Sequence, residues 1–158
     1  MQKTKFNTFD ESLINADLHT VYEAMILEFS GNKGWWKRLW ESEPVDIKPI
    51  TEPGGSINIT VHDIIEGHFS ARTVSIVEKE RLDIEFYAGD FIGNATWLWK
   101  SEGDKTRVSQ EWHASPNSLK FKLASQIINI EKIHSKVITG GFQALNKFLA
   151  DYRVQNPS

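Results

Sequence analysis

The chain has 158 residues, 40% of them hydrophobic and 25% charged, which suits one globular domain with a sizeable core and argues against two. A formal net charge of −3 offers no general attraction to phosphate, which sets nucleic acid aside, and the absence of cysteine removes disulfides, thiolate nucleophiles and cysteine-held metals together. Met1 to Asp10 carry neither a basic leader nor an apolar run, and no window reaches the roughly 20 apolar residues of a membrane span, so a cytoplasmic location without stable membrane insertion is the default expectation.

Lys3 to Ile14 has strand character and Asn15 ends it. Asp17 is placed to cap the following helix, because its carboxylate can accept a bond from a free backbone N–H of the first turn. Val21, Tyr22, Met25, Ile26 and Phe29 recur at spacings of three and four, the apolar stripe of an amphipathic helix, and Ser30, Gly31 and Asn32 stop it. Gly34 to Trp40 is predicted as a second short helix whose apolar side, Trp35, Trp36, Leu39 and Trp40, is almost wholly aromatic.

From Pro44 onward the pattern is β. Val45 to Pro49 is predicted as a short strand, with Pro53, Gly54 and Gly55 turning the chain after it. Ile57, Ile59 and Val61 alternate with Asn58, Thr60 and His62, giving one buried and one wet face. Phe69 to Val77 is the next strand, but Val74 and Ile76 fall out of phase with Phe69, Ala71 and Val77, which suggests a bulge and leaves its facing open. Leu82, Ile84 and Phe86 share one face of the following strand. Ala95, Trp97 and Trp99 point inward on the next, and Val108, Gln110 and Trp112 on the last, with Arg107, Ser109, Glu111 and His113 opposed.

A helical region runs from Pro116 to Tyr152. Unbroken it would measure about 54 Å, longer than a domain this size is wide, so a break is expected near Asn129. That leaves a major helix from about Glu131 to Tyr152 with Val137, Gly141, Leu145, Phe148 and Tyr152 on one stripe. An antiparallel sheet that is apolar on one face needs a cover, and this helix is the element large enough to supply it. A twisted sheet around one helix leaves space between them, where a ligand could sit.

The order of elements, with Gly89, Asp90, Phe91, Gly93 and Trp97, then Thr106, Arg107, Val108 and Trp112, resembles the START-like, helix-grip (SRPBCC) superfamily. That superfamily includes birch-pollen-type allergens, lipid-transfer domains and polyketide cyclases. The closer likeness is to the polyketide cyclase/dehydrase-like branch, whose C-terminal helix matches His134, Gly141 and Leu145 here, although Ile133 stands where an Asn is common and Ser135 where an acid is. The resemblance spans nearly the whole chain. It implies an α+β fold: a curved antiparallel sheet of about seven strands around a long C-terminal helix, with two short helices after the first strand, in one domain over residues 1–158 whose last few residues are disordered.

A cavity between sheet and helix would be lined by Trp36, Ile59, Val61, Ile84, Phe86, Trp97, Trp99, Gln110, Trp112, Val137 and Gly141. The indole N–H groups of Trp97, Trp99 and Trp112 would be free to bond a guest, or the same rings would simply fill the core. Trp35, Trp36 and Trp40 would gate the mouth or pack on the sheet edge. Gly140 and Gly141 inside a helix each cost on the order of 1 kcal/mol against Ala, which a close approach of the sheet would explain. His62, Asp63, Glu66 and His68 straddle a predicted hairpin turn at a spacing that fits no standard metal motif, and read as a polar turn. For catalysis His134 is the weak candidate, with Arg72, Asp90 and Gln110 as other polar groups, although a structural role is commoner for such a histidine. No phosphate loop, nucleophile elbow or cofactor motif is present, so no cofactor is expected. Three readings remain: a binder of a small hydrophobic or aromatic molecule; a cyclase, aromatase or dehydratase using the same cavity; and an interaction or stress-response module without a ligand. The oligomeric state, homodimer included, is left open.

Overall fold

The computed structural model describes residues 5–31, 34–36 and 38–155. The predicted starts and ends at Lys3, Asn32 and the last few residues lie outside that set. β1 (Phe6–Ile14) leads into α1 (Leu18–Phe29), where the Asp17 carboxylate accepts the Thr20 backbone N–H at 3.2 Å and its hydroxyl at 2.6 Å. This is the capping expected of Asp17, and it satisfies a donor that the helix cannot pair internally. Val21, Tyr22, Met25 and Phe29 are buried, as their spacing predicts.

The described residues between Gly34 and Trp40 depart from the prediction: Trp36 O accepts from Leu39 N–H at 3.0 Å and from Trp40 N–H at 2.9 Å, a hydrogen-bonded turn that leads into the next strand. Trp35 and Trp36 stack with centroids 5.7 Å apart and planes 3° apart. Adjacent residues on an α-helix do not face each other, so that stack excludes the predicted helix. The predicted strand Val45–Pro49 is likewise corrected. The strand is β2 (Trp40–Pro44), and 45–48 are bends whose Val45 and Ile47 side chains are exposed. Pro44 cannot donate to a ladder and ends it.

Five longer strands follow: β3 (Ser56–Val61), β4 (Gly67–Val77), β5 (Arg81–Gly89), β6 (Phe91–Glu102) and β7 (Lys105–Pro116). All seven form one sheet in the order β1-β7-β6-β5-β4-β3-β2, each neighbour antiparallel. β4 carries register shifts at Ser70/Ala71 and Thr73/Ser75. They bury Phe69, Ala71 and Thr73 and turn Val74 and Val77 to solvent, which explains the broken alternation there.

The segment Gly89-Asp90-Phe91 is a structural junction. Gly89 sits at φ 100°, and a Cβ there would lie 2.4 Å from His68 O, so a side chain is excluded by both conformation and contact. Asp90 is buried; its carboxylate accepts the His68 N–H at 2.7 Å, and its carbonyl accepts the Asn117 N–H at 2.7 Å. The strand turn is thereby tied to the entrance of α2 (Leu119–Ala124).

The break near Asn129 is as predicted: Asn129 Oδ1 accepts the Lys132 N–H at 3.0 Å at the start of α3 (Ile130–Gln155). Val137, Gly141 and Leu145 are buried and Phe148 half-buried, but Tyr152 is 53% exposed; Ile130, Ile138, Phe142 and Leu149 complete the buried face. α3 is pinned along β1 by polar contacts: Asn7 N–H donates to Glu131 at 2.8 Å, Ser135 Oγ to Asp10 at 3.0 Å and Asn15 N–H to Asn146 at 2.8 Å. Burial among these partners raises the pKa of Asp10 above its usual range.

Candidate functional site

The space between sheet and α3 is not uniform along the helix. At the end beside α1, aromatic rings fill it. Trp97 meets Phe29 at 5.4 Å and stands edge-on to Phe142 at 6.3 Å; Trp99 stands edge-on to Tyr22 at 5.1 Å. The Trp99 indole N–H, expected to be free for a guest, donates to Met25 Sδ at 3.2 Å. Trp36 lies between Trp35 and Trp40 in a three-ring stack, and its N–H donates to Val137 O at 3.2 Å. Its ring presses on Gly141, where a Cβ would come within 2.3 Å of Trp36 Cε2. That contact accounts for a glycine in mid-helix, through the Trp36 indole rather than the sheet.

At the other end the walls part. Val61, Ile65, Gly67, Phe69, Phe91, Trp112, Phe121, Ile130, Ile133, His134 and Val137 surround an apolar cleft with about 40 Å³ of space open to water-sized molecules. That is room for on the order of three waters. Phe91 is the hub of its aromatic wall, with Phe121 at 4.5 Å, Trp112 at 5.7 Å and Phe69 at 5.8 Å.

His134 is the titratable side chain of this cleft. Its imidazole lies flat on Trp112, centroids 3.9 Å apart and planes 10° apart, and its Nε2 faces Gln110 Oε1 at 2.8 Å. Removal from water lowers its pKa to about 3, so it is neutral at physiological pH. With Oε1 as the acceptor, Nε2 carries the proton and Nδ1 presents a lone pair.

Of the predicted lining, Val61, Trp112 and Val137 reach this cleft. Ile59, Ile84, Phe86, Trp97 and Trp99 are buried in the packed core, Trp36 and Gly141 pack on each other, and Gln110 stands behind His134. Arg72 pairs with Glu85 on the outer face, over the Tyr87 ring, and Asp90 serves the junction above, so neither joins His134. His62 pairs with Glu41 and His68 with Glu66, each at 2.9 Å, and Asp63 faces Lys136 at 3.3 Å. Among the described residues no three His, Asp or Glu side chains gather as metal ligands would.

Compared with solved structures, the chain matches a protein from Thermus thermophilus at 18% identity and TM-score 0.69, over 90% of this chain and 95% of that one. It matches a START superfamily protein from Mycobacterium smegmatis at 11% identity and TM-score 0.69, over 95% and 99%. It also matches Ara h 8.0201 at 10% identity and TM-score 0.62, over 93% and 99%. The chain has the START-like, helix-grip fold. No family model matches the sequence, and no curated protein does so significantly.

Within the START-like fold the cleft lies where α2 and the β3–β4 turn approach the start of α3. Sequence reasoning missed Ile65, Gly67, Phe69, Phe91, Phe121, Ile130 and Ile133. Four had a legible signal: on the strands, Phe91 is in phase with Ala95, Trp97 and Trp99, and Phe69 with Ala71. Ile130 and Ile133 precede Val137 by seven and four positions on the same helix, so the stripe could have been extended backwards. Phe121 had none, because a six-residue helix is too short to show a period. No described helix is long and apolar enough to cross a membrane.

Proposed function

We propose that this protein binds a small hydrophobic or aromatic molecule between the sheet and α3, at the end bounded by Phe91, Trp112, Phe121 and His134. The observation that carries the reading is the difference in filling: aromatic rings close one end of the interior, while the other keeps an apolar cleft with one polar side-chain pair. Binding there would be driven by removal of apolar area from water, at about 25 cal/mol per Å². The small volume argues against a long lipid or a folded poly-ketone chain, since binding pockets for such molecules run to roughly 300 Å³ and more, and a single ring enters only as the side chains of the cleft move apart.

The cyclase, aromatase or dehydratase reading has weaker support. Enolisation needs a base near neutrality and a separate donor for the enolate oxygen. His134, with its pKa lowered to about 3, is too weak a base for the first task, and Arg72 and Asp90 are occupied elsewhere. A ligand-free interaction or stress-response module has no specific observation in its favour. The cytoplasmic location expected from the sequence is part of this proposal.

Native mass spectrometry of protein purified from its own host, followed by titration with toluene and phenol, tests this reading. The expected result is a non-covalent small-molecule adduct, or saturable binding of the one-ring probes. The bare chain mass together with no binding of either probe would overturn it.

A further inference from the structure

The neutral imidazole at the back of the cleft is held by three surfaces. Trp112 covers one face of the ring, α3 carries it, and Gln110, 2% exposed and anchored in β7 opposite Trp97, sets its Oε1 2.8 Å from Nε2, where it accepts a hydrogen bond when the ring proton is on Nε2. This leaves Nδ1. It is bonded to none of the described residues, yet it is not sealed in, unlike the buried and unpartnered indole N–H of Trp40 and hydroxyl of Thr8. His134 belongs to a wall whose other side chains are apolar, and an acceptor on it is costly to leave unmatched where a guest expels water. A hydrocarbon would leave it so. A hydroxyl would satisfy it.

We propose, building on the cleft as a binding site, that its guest is a small cyclic molecule bearing a hydroxyl or phenolic group that donates its hydrogen bond to Nδ1 of His134. Gln110 is then a positioning residue: by accepting from Nε2 it selects the tautomer that leaves Nδ1 unprotonated and able to accept from the guest. The stack on Trp112 fixes the ring plane and so the direction from which a donor must approach. The same arrangement disfavours carbonyl-only and ether guests, which would set an acceptor against an acceptor. Depression of the imidazole's basicity to a pKa of about 3 fits this role, since the group stays a neutral acceptor at any physiological pH and takes no proton from the guest.

The test uses the full chain and four one-ring probes: phenol, anisole, toluene and acetophenone. Their affinities are measured by quenching of tryptophan fluorescence on the wild-type protein and on His134→Phe, which keeps a flat ring on Trp112 but has no acceptor. The expected result is a ratio of phenol to toluene affinity that falls about tenfold in the variant, the worth of one buried hydrogen bond, while toluene binding changes little. In wild-type protein labelled with nitrogen-15 at histidine, phenol is expected to move the His134 Nδ1 resonance while anisole leaves it in place; this arm needs no variant. An unchanged phenol-to-toluene ratio with both probes bound, or acetophenone favoured over phenol, overturns the hydroxyl assignment and leaves the cleft standing. No probe binding at all overturns the cleft and this inference with it.

Discussion

The two ends of the interior are built from the same material and differ in how it is arranged. Around Trp36, Trp97 and Trp99, rings meet face to face and edge to face, and two of the three indole N–H groups are spent on protein acceptors. Around Trp112 the rings stand as walls, and α2 and the β3–β4 turn replace the filler that α1 and the Trp35–Trp40 turn supply at the other end. What separates a core from a cleft is therefore the presence of a second layer of large side chains rather than their hydrophobicity. Removing material should show the difference.

Trp97→Ala takes a ring from the filled end and is expected to lower stability by about 3–5 kcal/mol in urea denaturation, since a tightly enclosed site cannot collapse to fill the hole. Trp112→Ala, beside space that is already open, should cost less stability and more guest affinity. The reverse order would erase the distinction between the two ends. Next in size is Gly141→Ala, expected to cost about 1–3 kcal/mol because its methyl would overlap the Trp36 indole, which its neighbours hold in the stack.

Acid should act on the open end through His134. The unfolded imidazole takes up its proton near pH 6.5 and the folded one only near 3, so stability falls as pH drops across that interval, with a slope of at most one proton, about 1.4 kcal/mol per pH unit. Denaturation at stepped pH should show this slope in wild-type protein and its loss in His134→Phe. Asp83, held down to about 2 chiefly by hydrogen bonding from Arg81, contributes stability that is lost lower, as pH falls from about 3.8 through 2, and both proteins should share that loss. The smallest effect is expected from Gly140→Ala: the methyl meets only the Cδ1 end of Leu39, which can swing away, and a helix gain of about 1 kcal/mol offsets the shift. A large loss there would mean that the Leu39 side chain is held too firmly to move aside.

Most of the sheet was legible because alternation and phase are local properties. Ile57 and Ile59, Leu82 to Phe86, Ala95 to Trp99 and Val108 to Trp112 all face as their spacing predicts. The capping at Asp17 and the break at Asn129 rest on side-chain hydrogen bonds to residues three positions on and were equally readable. The misread segments are those where tertiary contacts override local pattern. Trp35, Trp36 and Trp40 leave helix geometry in order to stack, and Val45 to Pro49 has strand-like residues but only one backbone N–H paired to the sheet, Val45 to Ser56 O at 3.0 Å. The site was half legible for a related reason. Inward facing can be read from a strand, but whether an inward ring packs against another ring or against space depends on what the distant helices bring. Trp97 and Trp112 both alternate inward on their strands; Phe142 and Phe29 reach the first, while Phe6, Phe91, His134 and the cleft adjoin the second.

Six tryptophans distributed over both ends make the protein its own reporter. In protein labelled with nitrogen-15 at the indoles, titration with toluene should move the Trp112 N–H resonance saturably and leave those of Trp36, Trp97 and Trp99 in place. Saturable shifts centred on Trp97 and Trp99 with Trp112 unmoved would contradict the account, because they would put the guest at the end that the rings close.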